Sequence, residues 1–208
     1  MKNVHAANHP LIHDKISKLR DKKIGTQQFR QLIQELSIIL AVESTAQCLL
    51  KKVIVNGHFE ITTGQQISRD IILIPILRAG LGMIDGFLKL IPNARIGYLG
   101  VYRNEKTLEP VAYYKNLPPK LEDSEIFVLD PMLATGGSAV YCLSLIKKYG
   151  GGNISLVTVV AAPEGIERVQ QNHPDVTIVT ASIDRELNEQ GYILPGLGDA
   201  GDRLNGTC

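Results

Sequence analysis

The sequence predicts an α/β protein built on a mostly parallel sheet that is flanked by helices. From residue 70 onward, short runs rich in β-branched residues alternate with stretches of helical periodicity. Apolar strands separated by helices are typical of parallel sheets that are covered on both faces. The length of 208 residues and the apolar content of 44% fit one domain of this kind with a well-filled core.

The N-terminal residues 1–60 show helical rather than strand periodicity. Apolar side chains recur at 11, 12, 16 and 19 in a first predicted helix. Thr26 is a suitable N-cap for a second helix, whose apolar stripe runs from Phe29 to Leu40. We interpret this stripe as packing on its own domain, with packing on a partner subunit as the alternative.

The strands and helices predicted beyond residue 70 follow one another along the chain. The predicted strands are Ile71–Ile76, Ile96–Val101, Ile126–Leu129, Ile154–Val160 and Val176–Thr180. The predicted helices are Leu81–Leu90, Gly137–Tyr149 and Pro163–Asn172. Ligands of such sheets bind past the carboxyl ends of the strands, so the loops that follow these runs are the candidate functional positions.

Composition excludes several classes of function. The 22 basic and 21 acidic residues nearly cancel, which argues against nucleic-acid or membrane-surface binding. The longest apolar stretch, Ile71–Leu77, is too short to span a bilayer, and we expect no signal peptide. Cys48, Cys142 and Cys208 are far apart, so we expect neither disulfides nor zinc, and a cytoplasmic location.

The clearest motif follows the strand at Ile126–Leu129 and reads Asp130-Pro-Met-Leu-Ala-Thr-Gly-Gly-Ser138. Gly136 and Gly137 allow backbone N–H groups to face one anion at the start of the next helix. No lysine follows Gly137, so the motif is not a P-loop. Asp130 would repel phosphate but suits sugar hydroxyls. The motif therefore predicts a site for a ribose 5-phosphate unit.

This loop, together with His9–Ile12, Pro75–Gly80, Tyr102-Arg103 and Gly191–Asp202, resembles the uracil phosphoribosyltransferase family over nearly the whole chain. The resemblance implies a type I phosphoribosyltransferase-like fold in one domain. Its expected parts are an N-terminal helical arm (1–65), a core sheet (66–182) and a C-terminal uracil-binding hood (183–208). It also implies transfer of phosphoribosyl from 5-phosphoribosyl 1-diphosphate to uracil, with Mg²⁺ bound by the diphosphate substrate rather than by protein ligands.

The resemblance assigns roles to individual residues. Arg78, Arg103 and Asp199 are the expected catalytic residues, and the two arginines, each following a strand, suit the diphosphate. Backbone groups of Ile193, Gly198 and Ala200, with Asp199 nearby, are expected to bind uracil. The full expected donor site is Arg78, Arg103, Asp130, Pro131, Met132, Leu133, Ala134, Thr135, Gly136, Gly137, Ser138 and Asp199.

The polar segment 103–115 reads as a hairpin that closes over the donor, with Lys106 and Lys115 as weaker candidate contacts. By resemblance we also expect a homodimer or higher homo-oligomer, and a GTP effector with no assignable site. Two alternatives stay open. One is transfer to another base such as orotate, for which Arg203 is the one cation near the base segment. The other is a regulator of the same fold that senses nucleotides and binds RNA.

Overall fold

The computed structural model describes residues 3–103 and 110–207, and the side chains of Arg103 and Pro110 are outside this description. The strands are β1 (Val4–Ala6), β2 (Leu50–Asn56), β3 (Ile61–Ile67), β4 (Asp70–Leu77), β5 (Arg95–Ile96), β6 (Tyr98–Arg103), β7 (Pro110–Asn116), β8 (Ser124–Leu129), β9 (Met132–Leu133), β10 (Asn153–Ala161), β11 (Thr177–Ile183), β12 (Glu186–Leu187) and β13 (Ile193–Leu194). The helices are α1 (Pro10–Leu19), α2 (Thr26–Thr45), α3 (Leu81–Leu90), α4 (Gly137–Lys148), α5 (Pro163–Asn172) and α6 (Ala200–Asn205), with a 3₁₀ turn at Leu121–Asp123.

The main sheet has the order β1-β11-β10-β8-β4-β6-β7, with β5 beside β4 and β9 beside β10. All its described pairs are parallel except β6 with β7. The predicted mostly parallel sheet is therefore confirmed. Because β4 and β8 are adjacent and parallel, the residues that follow them, Arg78 and Asp130, emerge at the same edge of the sheet.

Alternate residues of the central strands fill two cores, one on each face of the sheet. In β8, Phe127 and Leu129 pack with helices α1 to α3 and with the C-terminal residues, including Leu204. Ile126 and Val128 face the opposite core, which α4 and α5 cover. The period of two explains why the strand reads as a continuous apolar run in the sequence.

The structure corrects three expectations for the N-terminal part of the chain. Residues 50–67 are not helical, because β2 and β3 form an antiparallel hairpin outside the main sheet. Val4–Ala6 is also extended and adds an edge strand beside β11. Gly25, rather than Thr26, is the N-cap of α2, and it has no side chain to provide a capping hydrogen bond.

The α2 stripe packs inside its own domain. Phe29, Leu32, Ile33, Leu36 and Leu40 are all buried against the sheet, so the alternative that this stripe packs on a partner subunit is wrong. Within the described ranges, no helix is both long enough and apolar enough to cross a membrane.

Candidate active site

The loop that follows β8 is held rigidly between strand and helix. Short strand β9 pairs with β10, and the N–H groups of Val159 and Val160 both donate to the carbonyl of Pro131 at 3.1 Å. Gly136, the N-cap of α4, has a positive φ of 74°, and a Cβ there would lie 2.9 Å from the Gly165 carbonyl oxygen. Glycine is therefore required at this turn for both conformation and space.

The loop encloses a small cavity at the start of α4. Its volume is about 100 Å³, and no side chain caps the helix, so its first N–H groups are available to an anion. Thr135 and Ser138 add hydroxyl groups to the lining. The lining residues are Asp130, Met132, Leu133, Ala134, Thr135, Gly136, Gly137, Ser138 and Ala139.

Asp130 is the one carboxylate in this cavity lining. Burial raises its pKa to about 7, and a long hydrogen bond from the Met132 N–H (3.4 Å) opposes the rise only weakly. Since no cation pairs with it among these lining residues, the carboxylate is costly to ionise in the ligand-free protein. Hydroxyl donors of a ligand would relieve that cost.

A second, larger cavity of about 650 Å³ adjoins the first and shares Met132 and Ala134 with it. It brings Arg78, after β4, into the same space as Asp199 and Ala200, at the start of α6. The lining is Leu77, Arg78, Ala79, Val101, Tyr102, Tyr113, Met132, Ala134, Gly191, Tyr192, Gly198, Asp199, Ala200 and Gly201.

The cations and carboxylates at this cavity are only loosely paired. The Arg78 side chain is 60% exposed, and its Nη2 lies 3.7 Å from Oδ1 of Asp202. Asp199 caps α6, where its Oδ1 accepts the Asp202 N–H at 3.0 Å. The arginine is therefore free to turn toward an anionic ligand, because an exposed pair at this distance contributes little.

The C-terminal segment folds over the same edge of the sheet. Strand β13 pairs with β12, and Gly196 and Gly198 follow with φ angles of 61° and 73°. Arg203 points away from the large cavity and donates to the carbonyls of Leu19, Asp21 and Leu197 at 2.7–2.9 Å. These hydrogen bonds hold the C-terminal segment against the turn between α1 and α2.

Beneath this segment, a buried ion pair joins Arg20 to Asp184. Burial raises the pKa of the Asp184 carboxyl, but hydrogen bonds from Arg20, Ser182 and the Gly196 N–H more than offset it, so the net pKa is lowered. Asp184 therefore stays ionised near neutral pH.

Most of the described residues expected from the sequence line these two cavities, but Pro131, Ile193 and Lys115 do not. The Pro131 carbonyl accepts hydrogen bonds from the N–H groups of Val159 and Val160 in β10. The Ile193 side chain is buried in the core, which leaves its backbone for any ligand contact. Arg103 belongs to β6, but its side chain lies outside the described residues, as does Lys106. Lys115 hydrogen-bonds the Tyr149 hydroxyl and lies over its ring instead of facing the cavity.

Three tyrosines that line the large cavity were not predicted from the sequence. Tyr102 and Tyr113 lie on neighbouring strands β6 and β7 with ring centroids 6.2 Å apart, and Tyr192 adds a third ring to the lining. A signal for two of the three was present, because Tyr102 precedes and Tyr113 lies within the polar segment 103–115 that was predicted to be a hairpin. The antiparallel β6–β7 pair confirms the base of that hairpin, and its tip at 104–109 is outside the described residues.

Comparison with known proteins gives consistent relatives. The family model for uracil phosphoribosyltransferase matches residues 6–207. Proteins named uracil phosphoribosyltransferase from Bacillus pumilus and Finegoldia magna are each 50% identical over 208 residues, which is 100% of both chains. The AQ2163 protein of Aquifex aeolicus superposes with a TM-score of 0.91 at 38% identity, covering 97% of each chain.

A more distant likeness concerns the fold alone. A hypoxanthine phosphoribosyltransferase from Staphylococcus aureus has a TM-score of 0.52 at 13% identity, covering 87% of this chain and 84% of that one. The sheet and its flanking helices are thus those of the type I phosphoribosyltransferases. With the family model matching almost every residue and full-length relatives at 50% identity, this chain belongs to the uracil phosphoribosyltransferase family.

Proposed function

We propose that this protein transfers the 5-phosphoribosyl group of 5-phospho-α-D-ribose 1-diphosphate to uracil, giving UMP and diphosphate in pyrimidine salvage. One observation carries the proposal most directly. The loop cavity at the start of α4 and the large cavity under the C-terminal segment adjoin each other, and Met132 and Ala134 line both. A sugar phosphate in the first cavity would therefore present its ring to a base in the second, and family membership supports this arrangement.

The donor's 5′-phosphate fits the N-terminus of α4. The helix dipole and the first N–H groups favour an anion there, and the Thr135 and Ser138 hydroxyls can donate as well. Asp130 would accept hydrogen bonds from the ribose hydroxyls in its ionised form. Since its pKa in the ligand-free protein is about 7, donor binding should shift this group toward ionisation.

The diphosphate group would lie toward Arg78 and Arg103. A guanidinium can bind phosphate oxygens in pairs, and each charge-assisted hydrogen bond contributes about 1.5–3 kcal/mol. Arg78 can reorient because its contact with Asp202 is long and exposed. Arg103 ends β6, the strand that pairs with β4, so its backbone lies at the same sheet edge.

The residues present fit a Mg²⁺ ion that arrives with the donor. Among the described residues, no group of three or more His, Cys, Asp or Glu side chains could hold a metal ion alone. Mg²⁺ usually takes one or two carboxylates, with phosphate oxygens and water as its other ligands, and Asp199 is a carboxylate in the large cavity. When bound, the ion would neutralise part of the charge of the diphosphate.

Uracil presents an acceptor, a donor and an acceptor along O2, N3–H and O4. Backbone groups of Ile193, Gly198 and Ala200 can complement this edge, and Gly198 allows close approach of the chain. The tyrosine rings of the large cavity offer an apolar face for the flat pyrimidine. Cytosine has an acceptor at N3 and an amino donor at position 4, the reverse of uracil. It would therefore leave two buried polar groups of the protein without a matching partner.

The reaction would break the bond between C1 of the ribose and the diphosphate oxygen and form a bond from C1 to N1 of uracil, with inversion from α to β, and the proton released from N1 would pass to the departing diphosphate or to water. The protein's contribution is to hold the base in line and to stabilise the departing diphosphate. No histidine lines either described cavity, which agrees with a mechanism that needs no histidine general base.

We also propose that the protein forms a homodimer. The resemblance already implies one, and the exposed surface of the β2–β3 hairpin now supports it. The β2–β3 hairpin exposes Leu50, Ile54, Phe59 and Ile61, and Phe59 at its turn is fully exposed. Apolar side chains grouped this way are typical of surfaces that pack against another chain. A cytoplasmic location and activation by GTP remain predictions, and we assign no residues to GTP.

The test is transfer of radiolabelled uracil, with and without Mg²⁺. We expect UMP only when both the donor and Mg²⁺ are present, and product formation with cytosine, orotate or hypoxanthine lower by several powers of ten. Orotate transfer is disfavoured because Arg203, its candidate carboxylate partner, already binds three backbone carbonyls and stacks on Phe29. Efficient transfer to another base, or none to uracil, would contradict the proposal.

A further inference from the structure

We propose that Arg20 and Asp184 act as a positioning pair that sets the conformation of the base-binding segment, residues 193–200. The inference rests on the proposed function, which places uracil against this segment. Neither residue lines the cavity assigned to the substrates. Their effect on the reaction would therefore be indirect, through the backbone that contacts the base.

The two side chains form a paired, bidentate contact. Arg20 is the C-cap of α1 and Asp184 follows β11, so the contact joins the helical N-terminal part to the end of a sheet strand. Nη1 and Nη2 of Arg20 each lie 2.7 Å from one carboxylate oxygen of Asp184. The Asp184 side chain is only 1% exposed, so solvent hardly competes for these hydrogen bonds.

Both members of the pair also bind the backbone of Gly196. Its N–H donates to Oδ2 of Asp184 at 2.9 Å, and its carbonyl accepts from Nη1 of Arg20 at 3.0 Å. Gly196 has a φ of 61°, and a Cβ there would lie 2.1 Å from the Ile193 carbonyl oxygen. The donor and acceptor of one turn residue, at a position that only glycine can occupy, are thus held by one ion pair.

Gly196 directly precedes the part of the segment that faces the substrate cavity. Gly198, Asp199 and Ala200 line that cavity two to four residues further on. A rotation of the Gly196 peptide planes would change where their N–H and carbonyl groups point. Because recognition of the uracil edge depends on hydrogen-bond geometry, even a shift of about 1 Å should weaken base binding strongly.

Apart from Asp199, the donor site has different supports. The loop after β8 is held by β9–β10 pairing and by close contact of Gly136 with Gly165 on α5. Neither Arg20 nor Asp184 has a hydrogen bond to that loop in the described part of the chain. Loss of the pair should therefore affect uracil much more than the phosphoribosyl donor, which a general loss of folding would not do.

The experiment measures both substrates in Arg20→Met. Lys18→Met is the matched control, since Lys18 lies on the same helix with its side chain 54% exposed and forms a salt bridge with Asp14. In Arg20→Met, we expect the KM for uracil to rise about tenfold or more, while kcat and the Kd for the donor stay within about threefold. The preference for uracil over cytosine should also fall, and the control should match the unaltered protein.

Arg20→Lys keeps the positive charge, but a lysine cannot both make the bidentate contact with Asp184 and bind the Gly196 carbonyl. We therefore expect Arg20→Lys to raise the uracil KM as well. If Arg20→Met does not fold, the uracil KM of Arg20→Lys decides the question. A uracil KM within about twofold of that of the unaltered protein, in a folded variant, overturns the inference. Equal losses for uracil and donor overturn it too. An unaltered protein with no uracil transfer would instead refute the proposed function, and the inference with it.

Discussion

Replacing Asp130 by asparagine should stabilise the ligand-free protein while it weakens donor binding. The side chains are nearly equal in size, so the change removes the charge without opening a cavity. Burial raises the pKa of Asp130 from 3.8 to about 7. Between these two values the folded state binds more protons than the unfolded state, so the stability of the unaltered protein falls as pH rises through this window.

The expected gain in stability follows from the size of the pKa shift of Asp130. About three pKa units correspond to roughly 4 kcal/mol once the group is fully ionised, which is an upper limit because the asparagine amide must also be desolvated. We expect a gain of at least ~1 kcal/mol at pH 8 for Asp130→Asn, or about 2–4 °C in Tm for a chain of this size. At pH 4 the two proteins should melt at nearly the same temperature.

Donor binding should change in the opposite direction. An amide oxygen accepts weaker hydrogen bonds from ribose hydroxyls than a carboxylate does, so the donor Kd should rise about 10- to 100-fold at pH 8. Thermal melts from pH 4 to 8 and titration calorimetry with the donor measure the two effects. An unchanged Kd would remove Asp130 from the ribose site, and a lower Tm at pH 8 would refute the assigned cost of its burial.

Three further changes test other parts of the site. Arg78→Ala should lower kcat/KM at least about tenfold with little change in Tm, because its pair with Asp202 is exposed, and a change under about threefold would refute its role at the diphosphate. Gly198→Ala, at a φ of 73°, should strain the segment by ~1–2 kcal/mol and raise the uracil KM, with donor affinity as the control. Phe59→Asp should weaken the dimer Kd about 10- to 100-fold in analytical ultracentrifugation, and an unchanged dimer would exclude the hairpin as its interface.

The donor loop could be predicted from sequence because its signal is local. An apolar strand, a carboxylate, two glycines and a helix lie within some 20 residues of one another, and parallel pairing places such loops at one sheet edge. The β2–β3 hairpin was missed for a related reason. It lies outside the main sheet and is mostly exposed, so Leu50–Ile67 lacks the apolar run that marks the core strands.

Other features depend on contacts between distant residues, which periodicity does not reveal. Arg20 and Asp184 are 164 positions apart, and nothing near either one in the sequence indicates a buried pair. The raised pKa of Asp130 likewise depends on packing around the loop, which the motif alone does not specify. The resemblance of Gly191–Asp202 to the family indicated base binding, but only the fold shows how Arg203 and Gly196 fasten that segment.

The most direct measurement is a crystal structure of this protein with UMP bound. We expect the 5′-phosphate at the N–H groups of the loop 135–138, the ribose hydroxyls on Asp130 and the pyrimidine edge against the backbone of residues 193–200. A nucleotide bound elsewhere on the molecule, or one whose base faces away from that backbone, would contradict it.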